Sequence, residues 1–318
     1  MTDSKLNILE VANLCQYFSS GRGKNKMVVK AVDDVTFGVR RAETFGLVGE
    51  SGCGKTTTGR TIIRLYDPVS GRVTFNGREI SGKMTGELRR YLTDNIAMIF
   101  QDPIESLNPR MTIQEIIGEG LKVRGIKDID KIRESVVETL VKVGLNEEHA
   151  TRYPHEFSGG QRQRIGIARA IIVKPKMIIA DEPVSALDVS IQAQVINLLN
   201  DLKEELGLTI LFIAHNLSVV KYFSDRVGVM YYGKLVEVAK GDDLYKKPLH
   251  PYTRALLSAI PEPNPIKEKT RKRIDYDPAR DHDYSSEEPI MTEIEPEHFI
   301  YCSSSELEKY KKMIALSN

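Results

Sequence analysis

The residues best suited to chemistry in this 318-residue chain are Gly49-Glu50-Ser51-Gly52-Cys53-Gly54-Lys55-Thr56, a glycine-rich turn between a short apolar run and a stretch of helical spacing. Glycines at such positions let backbone N–H groups converge on phosphate oxygens without Cβ clashes. The start of the following helix adds its partial positive charge. Lys55 would reach the β- and γ-phosphates of a nucleotide, and the Thr56 hydroxyl would bind Mg²⁺. At average residue frequencies about one unrelated chain in a hundred would match this pattern by chance, and the strand–turn–helix context lowers that further.

A second element fits the first. The apolar run 177–180 ends in Asp181-Glu182. A buried strand that ends in two carboxylates puts them at the edge of the sheet where open α/β folds bind ligands. Asp181 suits a Mg²⁺ shell, directly or through water. Glu182 suits polarisation or deprotonation of an attacking water. Alone, such a run is often only a strand end with a solvated turn; beside the glycine turn it becomes a strong signal.

Three weaker features narrow the class. Ser158-Gly159-Gly160-Gln161 opens another helix, which makes it a second candidate phosphate site. A chain that binds one nucleotide needs only one such site, so the economical explanation is that this surface completes the site of another subunit. By itself the stretch is more often a helix start with Ser158 as N-cap. Gln101, directly after an apolar run, could contact Mg²⁺ or water, and is otherwise a strand-end glutamine. His215 follows the apolar run 209–214 and could contact a γ-phosphate, and is otherwise a packed or solvent-facing histidine.

The elements that must position these residues alternate in type. Residues 6–14 and 28–39 read as β-rich, 44–48 as a short strand, and 55–65 as a helix. Asn76-Gly77 within 72–80 marks a hairpin, and 96–100 is the next strand. From 102 to 153 the character turns helical, with apolar spacing over 113–123 and 129–143. Then come a helix over 159–172, a buried strand over 177–180, a helix over 191–206 and a buried strand over 209–214. This alternation predicts a mostly parallel sheet covered by helices, interrupted by a helical insertion. Residues 227–238 predict a hairpin that turns at Tyr232-Gly233. Beyond Pro248 the chain becomes Pro-rich, then basic (267–273), then acidic (275–297). The charge blocks predict a solvated tail, ending in an amphipathic stretch over 306–316.

Hydrophobic residues make up 41% and charged residues 28%, ordinary for a globular protein. A net charge of +1 argues against a protein that coats nucleic acid. No apolar run approaches bilayer-spanning length, and the first ten residues lack a signal-peptide core, so the chain is expected in the cytosol. Cys15, Cys53 and Cys302 are far apart and form neither a disulfide framework nor a metal cluster.

Together these motifs, in this order, resemble those of an ATP-binding-cassette (ABC) ATPase over residues 5–260. The family's phosphate loop matches residues 49–56, its glutamine loop Gln101-Asp102-Pro103, and its signature Phe157-Ser158-Gly159-Gly160-Gln161, with Phe157 where Leu is commoner. The acidic strand motif matches residues 177–182, the following loop Ser185-Ala186-Leu187-Asp188, and the switch histidine His215. The resemblance implies an α/β fold: a P-loop NTPase core of ABC type with an antiparallel β subdomain, a helical subdomain at about 102–157 and a C-terminal extension. It implies ATP and Mg²⁺ as cofactors, the phosphate contacts running on to Thr57 and Phe18 stacking on adenine, with Tyr17 the neighbouring alternative. It implies Lys55, Glu182 and His215 as the catalytic set, and Thr56, Gln101 and Asp181 around the metal. It further implies a head-to-tail dimer that clamps two nucleotides, linked across the interface by Asp188.

The tail narrows the resemblance. Lys247-Pro248-Leu249-His250-Pro251-Tyr252-Thr253-Arg254-Ala255-Leu256-Leu257 is similar to the C-terminal signature of oligopeptide/dipeptide importer subunits. That similarity implies a cassette over 1–260, an importer-type extension over 261–318, and a peripheral position on the cytoplasmic membrane face. It implies a second ABC ATPase subunit (a heterodimer, with a homodimer as the alternative), two membrane permease subunits and, indirectly, an extracytoplasmic solute-binding protein. Peptide is the expected cargo, with oligosaccharide or nickel as alternatives and a soluble non-transport ABC ATPase as the rival class. Many relatives continue into a cysteine cluster that holds iron and sulfur. With only Cys302 after Cys53, none is expected here.

Overall fold

The computed structural model describes residues 7–21, 27–261, 271–282, 284 and 287–315. Leu6, residues 267–270 of the basic block and residue 316 lie outside them. Strands β1 (Asn7–Ser20), β2 (Met27–Arg40) and β3 (Thr44–Val48) lead into helix α1 (Lys55–Ile62), and β4 (Ser70–Phe75) and β5 (Arg78–Glu79) form a hairpin. Helix α2 (Gly86–Asn95) precedes β6 (Ile96–Ile99), followed by α3 (Pro103–Ser106), α4 (Ile113–Val123) and α5 (Ile129–Lys142). Next come α6 (Gly159–Ile171), β7 (Met177–Asp181), α7 (Val189–Leu206) and β8 (Thr209–Ala214). The remainder is α8 (Leu217–Phe223), β9 (Arg226–Tyr231), β10 (Lys234–Lys240), α9 (Gly241–Lys246), α10 (Pro251–Ser258), α11 (Pro278–Asp281), β11 (Ile290–Glu295), β12 (His298–Cys302) and α12 (Ser304–Ala315).

Two compact units result. The first is built from described residues of 1–39, 43–81 and 214–318, the second from 40–42 and 82–213. The first unit holds a four-stranded sheet in the order β2-β1-β4-β5, with β1 and β4 antiparallel. It also holds the run β11-β12-β10-β9-β3, in which β3 and β9 are parallel and the rest antiparallel. All five residues of β3 are buried, as expected of a strand covered on both faces. Both hairpin turns foreseen from sequence carry left-handed pairs, Asn76 and Gly77 at φ 49° and 78°, and Tyr232 and Gly233 at 42° and 84°. That backbone twist matches the twist of the flanking strands.

The second unit holds the parallel run β8-β7-β6. Strands β7 and β8 are wholly buried, which is why each reads as a continuous apolar run instead of an alternating one. The helices have local start signals. Thr112 and Glu115 form a reciprocal capping box on α4, and the Asp128 side chain caps α5. Helix α2 was not foreseen: only Leu88 and Leu92 of its ten residues are buried, too few to write a helical stripe. Among the described residues no helix is long and apolar enough to cross a membrane.

The expectation of a solvated tail holds for residues 272–275 and 277–280, which are exposed, but is overturned from residue 290 onward. Strand β12 pairs with β10 and β11 pairs with β12, extending the first unit's sheet. His298, Ile300 and Cys302 alternate inward on β12, and Ile300 and Cys302 pack with Leu249, Tyr310 and Ile314. Of the acids of β11, an edge strand, Glu293 is exposed and Glu295 half-buried, so this charge run is compatible with a half-buried sheet.

Candidate functional site

The glycine turn lies in the first unit, between β3 and α1. Gly49, Gly52 and Gly54 have φ of 152°, 82° and 109°, a backbone that side-chain-bearing residues rarely adopt. A Cβ on Gly54 would lie 2.1 Å from the Ala31 carbonyl oxygen, whereas one on Gly52 meets nothing within 4 Å. The turn is therefore braced from behind and open at Gly52, the shape of a phosphate cradle. Gly54 sits at the N-cap of α1 with no side chain to cap it, and the first turn holds no acidic residue. An anion is the natural partner for such a helix start.

Lys55 is 3% exposed, and its Nζ donates to the carbonyl oxygens of Gly49 (2.7 Å) and Glu50 (2.8 Å). The ammonium is thus folded back over the turn and held at its centre. Burial pushes the Cys53 thiol pKa up, so it packs as a small apolar group and not as a reactive thiolate. Replacing Gly54 by Ala forces backbone against backbone. We expect a loss of about 2–4 kcal/mol, read as a lowered melting temperature, with Gly52→Ala much milder. A Gly54→Ala protein that melts with the wild type would contradict this geometry.

In the same unit Phe18 is 38% exposed and meets only the edge of Tyr66, ring centroids 5.2 Å apart, among the ring contacts of the described residues. Tyr17 is engaged: its hydroxyl donates to Asp33 Oδ1 at 2.6 Å, and that bond raises its pKa. His215 is exposed, just before the Asn216 side chain caps α8.

In the second unit three of the predicted residues, Gln101, Asp181 and Glu182, lie at the ends of the adjacent strands β6 and β7. Asp181 ends β7 and is fully buried. Glu182 follows with φ 46°, a left-handed backbone costing a non-glycine residue about 1–2 kcal/mol. Its N–H donates to the Ile213 carbonyl (2.9 Å), and its carbonyl accepts from the Ser185 N–H (3.2 Å) and hydroxyl (3.1 Å). This strained turn aims the carboxylate at Gln101, whose Nε2 donates to Glu182 Oε2 at 2.9 Å. Two residues 81 apart in sequence are thereby joined at adjacent parallel strands.

Ser158 is the N-cap of α6: its Oγ accepts from the Gln161 N–H (3.3 Å), and the Gln161 side chain accepts from the Ser158 N–H (3.0 Å). Gly159 faces the loop before Asp188 and Gly160 the first turn of α7: a Cβ on them would come 3.6 Å from Leu187 and 2.6 Å from Ile191. Asp188 takes the N-cap position of α7 without a side-chain capping bond, and the neighbouring Val189 is 81% exposed. Among the described residues no three His, Cys, Asp or Glu side chains group as a metal cage. Within this unit the carboxylate of Asp181 is a hard oxygen donor of the kind Mg²⁺ takes, as the Thr56 hydroxyl is in the first unit.

The sequence reading missed Tyr252 as a neighbour of the cradle. Its hydroxyl accepts the Glu50 N–H at 3.1 Å, its ring lies 4.4 Å from that of Tyr231, and burial raises its pKa. Tyr231, Tyr232 and Tyr252 line a cavity of about 90 Å³ against residues 50–53. A separation of 202 residues leaves no local signal for such a contact.

The family model for ABC transporters matches residues 32–185, and that for the C-terminal region of oligopeptide/dipeptide transporters matches residues 236–285. The oligopeptide transport ATP-binding protein OppF of Bacillus subtilis (strain 168) is 56% identical, with 95% of this chain and 98% of that protein covered. The dipeptide transport ATP-binding protein DppF of Lactococcus lactis subsp. cremoris (strain MG1363) is 51% identical, with 99% and 100% covered. Among solved structures, the dimeric post-hydrolysis ATP-binding cassette MJ0796 bound to ADP and Pi gives a TM-score of 0.66 at 29% identity, covering 73% of this chain and 98% of that one. CbiO1 from Clostridium perfringens, part of the ABC transporter complex cbiONQ, gives 0.67 at 27% identity, covering 76% and 92%. By near-full-length identity to such relatives, and by a glycine turn shaped for phosphate, this chain belongs to the ABC transporter family of ATPases, in the group that carries the oligopeptide/dipeptide transporter C-terminal region.

Proposed function

We propose that this chain is the ATP-hydrolysing motor subunit of an importer for oligopeptides or dipeptides, working at the cytoplasmic membrane face on permease subunits. The observation that carries this reading is the presence in one chain of a phosphate cradle and the importer-type region at 236–285. Residues 1–260 are assigned to the ATPase domain, with the helical subdomain at about 102–157, and residues 261–318 to the extension.

Backbone N–H groups of the 49–57 turn, apart from those of Glu50 and Cys53, which are bonded to the Tyr252 hydroxyl and the Glu50 carbonyl, and the α1 N-terminus hold the ATP phosphates, with the Lys55 ammonium on the β- and γ-oxygens. Thr56, Asp181 and Gln101 are the residues that would hold Mg²⁺, which when bound spreads the charge of the transferring phosphoryl group. Glu182 orients and deprotonates the attacking water, and its hydrogen bond with Gln101 supports this placement. His215 is assigned to the γ-phosphate, and Phe18 to adenine. The exposed Phe18 ring supports the latter, whereas Tyr17 is committed to Asp33.

Residues 158–161 and Asp188 serve a second motor subunit, favoured as a different chain. The exposure of residues 188–190 and the packing of Gly159 on Leu187 and of Gly160 on Ile191 support a shared recognition surface. The test is the purified transporter, with its permeases and binding protein, in lipid vesicles. Added peptide is expected to raise ATPase activity several-fold and to accumulate inside. Stimulation by oligosaccharide or nickel but not peptide would overturn the cargo assignment, and co-purification with ribosomes without permeases would overturn the transport reading.

A further inference from the structure

Behind the phosphate cradle lies a buried polar chain that nucleotide chemistry does not by itself require. Glu237, on β10 and fully buried, accepts three hydrogen bonds: from Leu249 N–H (2.8 Å), His250 N–H (3.0 Å) and His298 Nε2 (2.7 Å). His298 belongs to β12 of the C-terminal hairpin. His250, itself 1% exposed, is the N-cap of α10, and its Nδ1 accepts the Tyr252 N–H at 3.1 Å. Pro251 occupies the first turn, where its missing N–H costs nothing. Tyr252 then presents its hydroxyl to the Glu50 N–H. The start of α10 is therefore fixed at three backbone positions, and one side chain reaches from it to the cradle.

The peptide that joins Gly49 to Glu50 is held from two sides. Its N–H, that of Glu50, is taken by Tyr252, and its carbonyl, that of Gly49, accepts Lys55 Nζ at 2.7 Å. Where that carbonyl sits decides where the ammonium sits, because Nζ spans the Gly49 and Glu50 carbonyls. We propose that Tyr252 is a positioning residue for ATP: through the Gly49–Glu50 peptide its hydroxyl sets the resting place of Lys55 and the mouth of the phosphate cradle. Tyr252 touches no reacting atom, and the effect reaches the nucleotide only through residues 50–55. The proposal rests on the reading of residues 49–57 as the ATP phosphate site.

The test is Tyr252→Phe in the full-length chain, which keeps the buried ring and removes only the oxygen. Losing one hydrogen bond of ordinary strength is expected to raise the KM for MgATP about 3–10-fold. The kcat is expected to stay within about twofold, and amide exchange in a peptide spanning residues 46–54 to quicken without nucleotide. Tyr310→Phe is the control for loss of a buried phenol, since the Tyr310 hydroxyl has no hydrogen-bond partner among the described residues. It is expected to change neither quantity. If Tyr252→Phe leaves KM and exchange as in the wild type while Lys55→Ala loses nucleotide, the positioning role is overturned and the phosphate-site reading survives. If Lys55→Ala still binds nucleotide normally, the phosphate-site reading itself falls. A Tyr252→Phe protein that changes only in melting temperature would assign Tyr252 to packing and overturn the proposal.

Discussion

Replacing Glu182 by Gln should lower the ATPase turnover of the full transporter by about 10²–10⁴-fold, the usual contribution of a positioned general base, while leaving ATP bound. The substitution keeps the size of the side chain and exchanges one carboxylate oxygen for an amide. Gln101 Nε2 can still donate to the remaining carbonyl oxygen, so the link between the two strand ends survives. The strained turn also survives, because the backbone bonds to Ile213 and Ser185 do not involve the side chain. What disappears is the basic lone pair that accepts the proton of the attacking water. Single-turnover hydrolysis measured beside equilibrium ATP binding separates the two quantities. A variant that hydrolyses within about threefold of the wild type would remove Glu182 from the chemistry and favour a water activated elsewhere.

Lys55→Ala should give a different pattern: ATP affinity down by about two orders of magnitude and hydrolysis lost with it. The ammonium is buried and already oriented by the Gly49 and Glu50 carbonyls, so little ordering is required when phosphate arrives. Charge-assisted hydrogen bonds to ionised partners contribute roughly 1.5–3 kcal/mol each, and Lys55 would make at least one to the β/γ-phosphates. The truncation also removes the internal brace of the turn: the Gly49 carbonyl loses its lysine donor, and the Glu50 carbonyl is left with the Cys53 N–H. A fluorescent nucleotide titration and an ATPase assay should fall together. Retained affinity with lost turnover would move Lys55 from binding to the chemical step. Normal values of both would refute the phosphate cradle.

Much of this site was legible because its signals are local. A glycine that must adopt positive φ, a lysine opening a helix, and a Ser-x-x-Gln capping box are each decided within a few residues. The strands 44–48 and 209–214 were readable for a related reason. Both are buried on all sides, so each is an unbroken apolar run whatever its neighbours are. Helix α2 was not readable, since two buried leucines in ten residues do not define a face.

The acidic tail shows the opposite limit. Its charge blocks read as solvated, yet β11 and β12 join the sheet because every second residue of β12 is buried and the edge strand buries neither of its acids completely. Pairing with β10 decides this, and β10 lies some sixty residues away, as the bond between His298 and Glu237 records with its separation of 61. The sequence by itself determined that the chain holds a glycine turn for phosphate, two carboxylates at a strand end and a second glycine helix start, since each is a short-range steric or capping requirement. Only the tertiary structure decided which distant groups act on them. Gln101 meets Glu182 because parallel strands bring their ends together, and Tyr252 meets Glu50 because a buried carboxylate anchors the start of its helix, a choice made by burial and hydrogen-bond satisfaction and not by spacing along the chain.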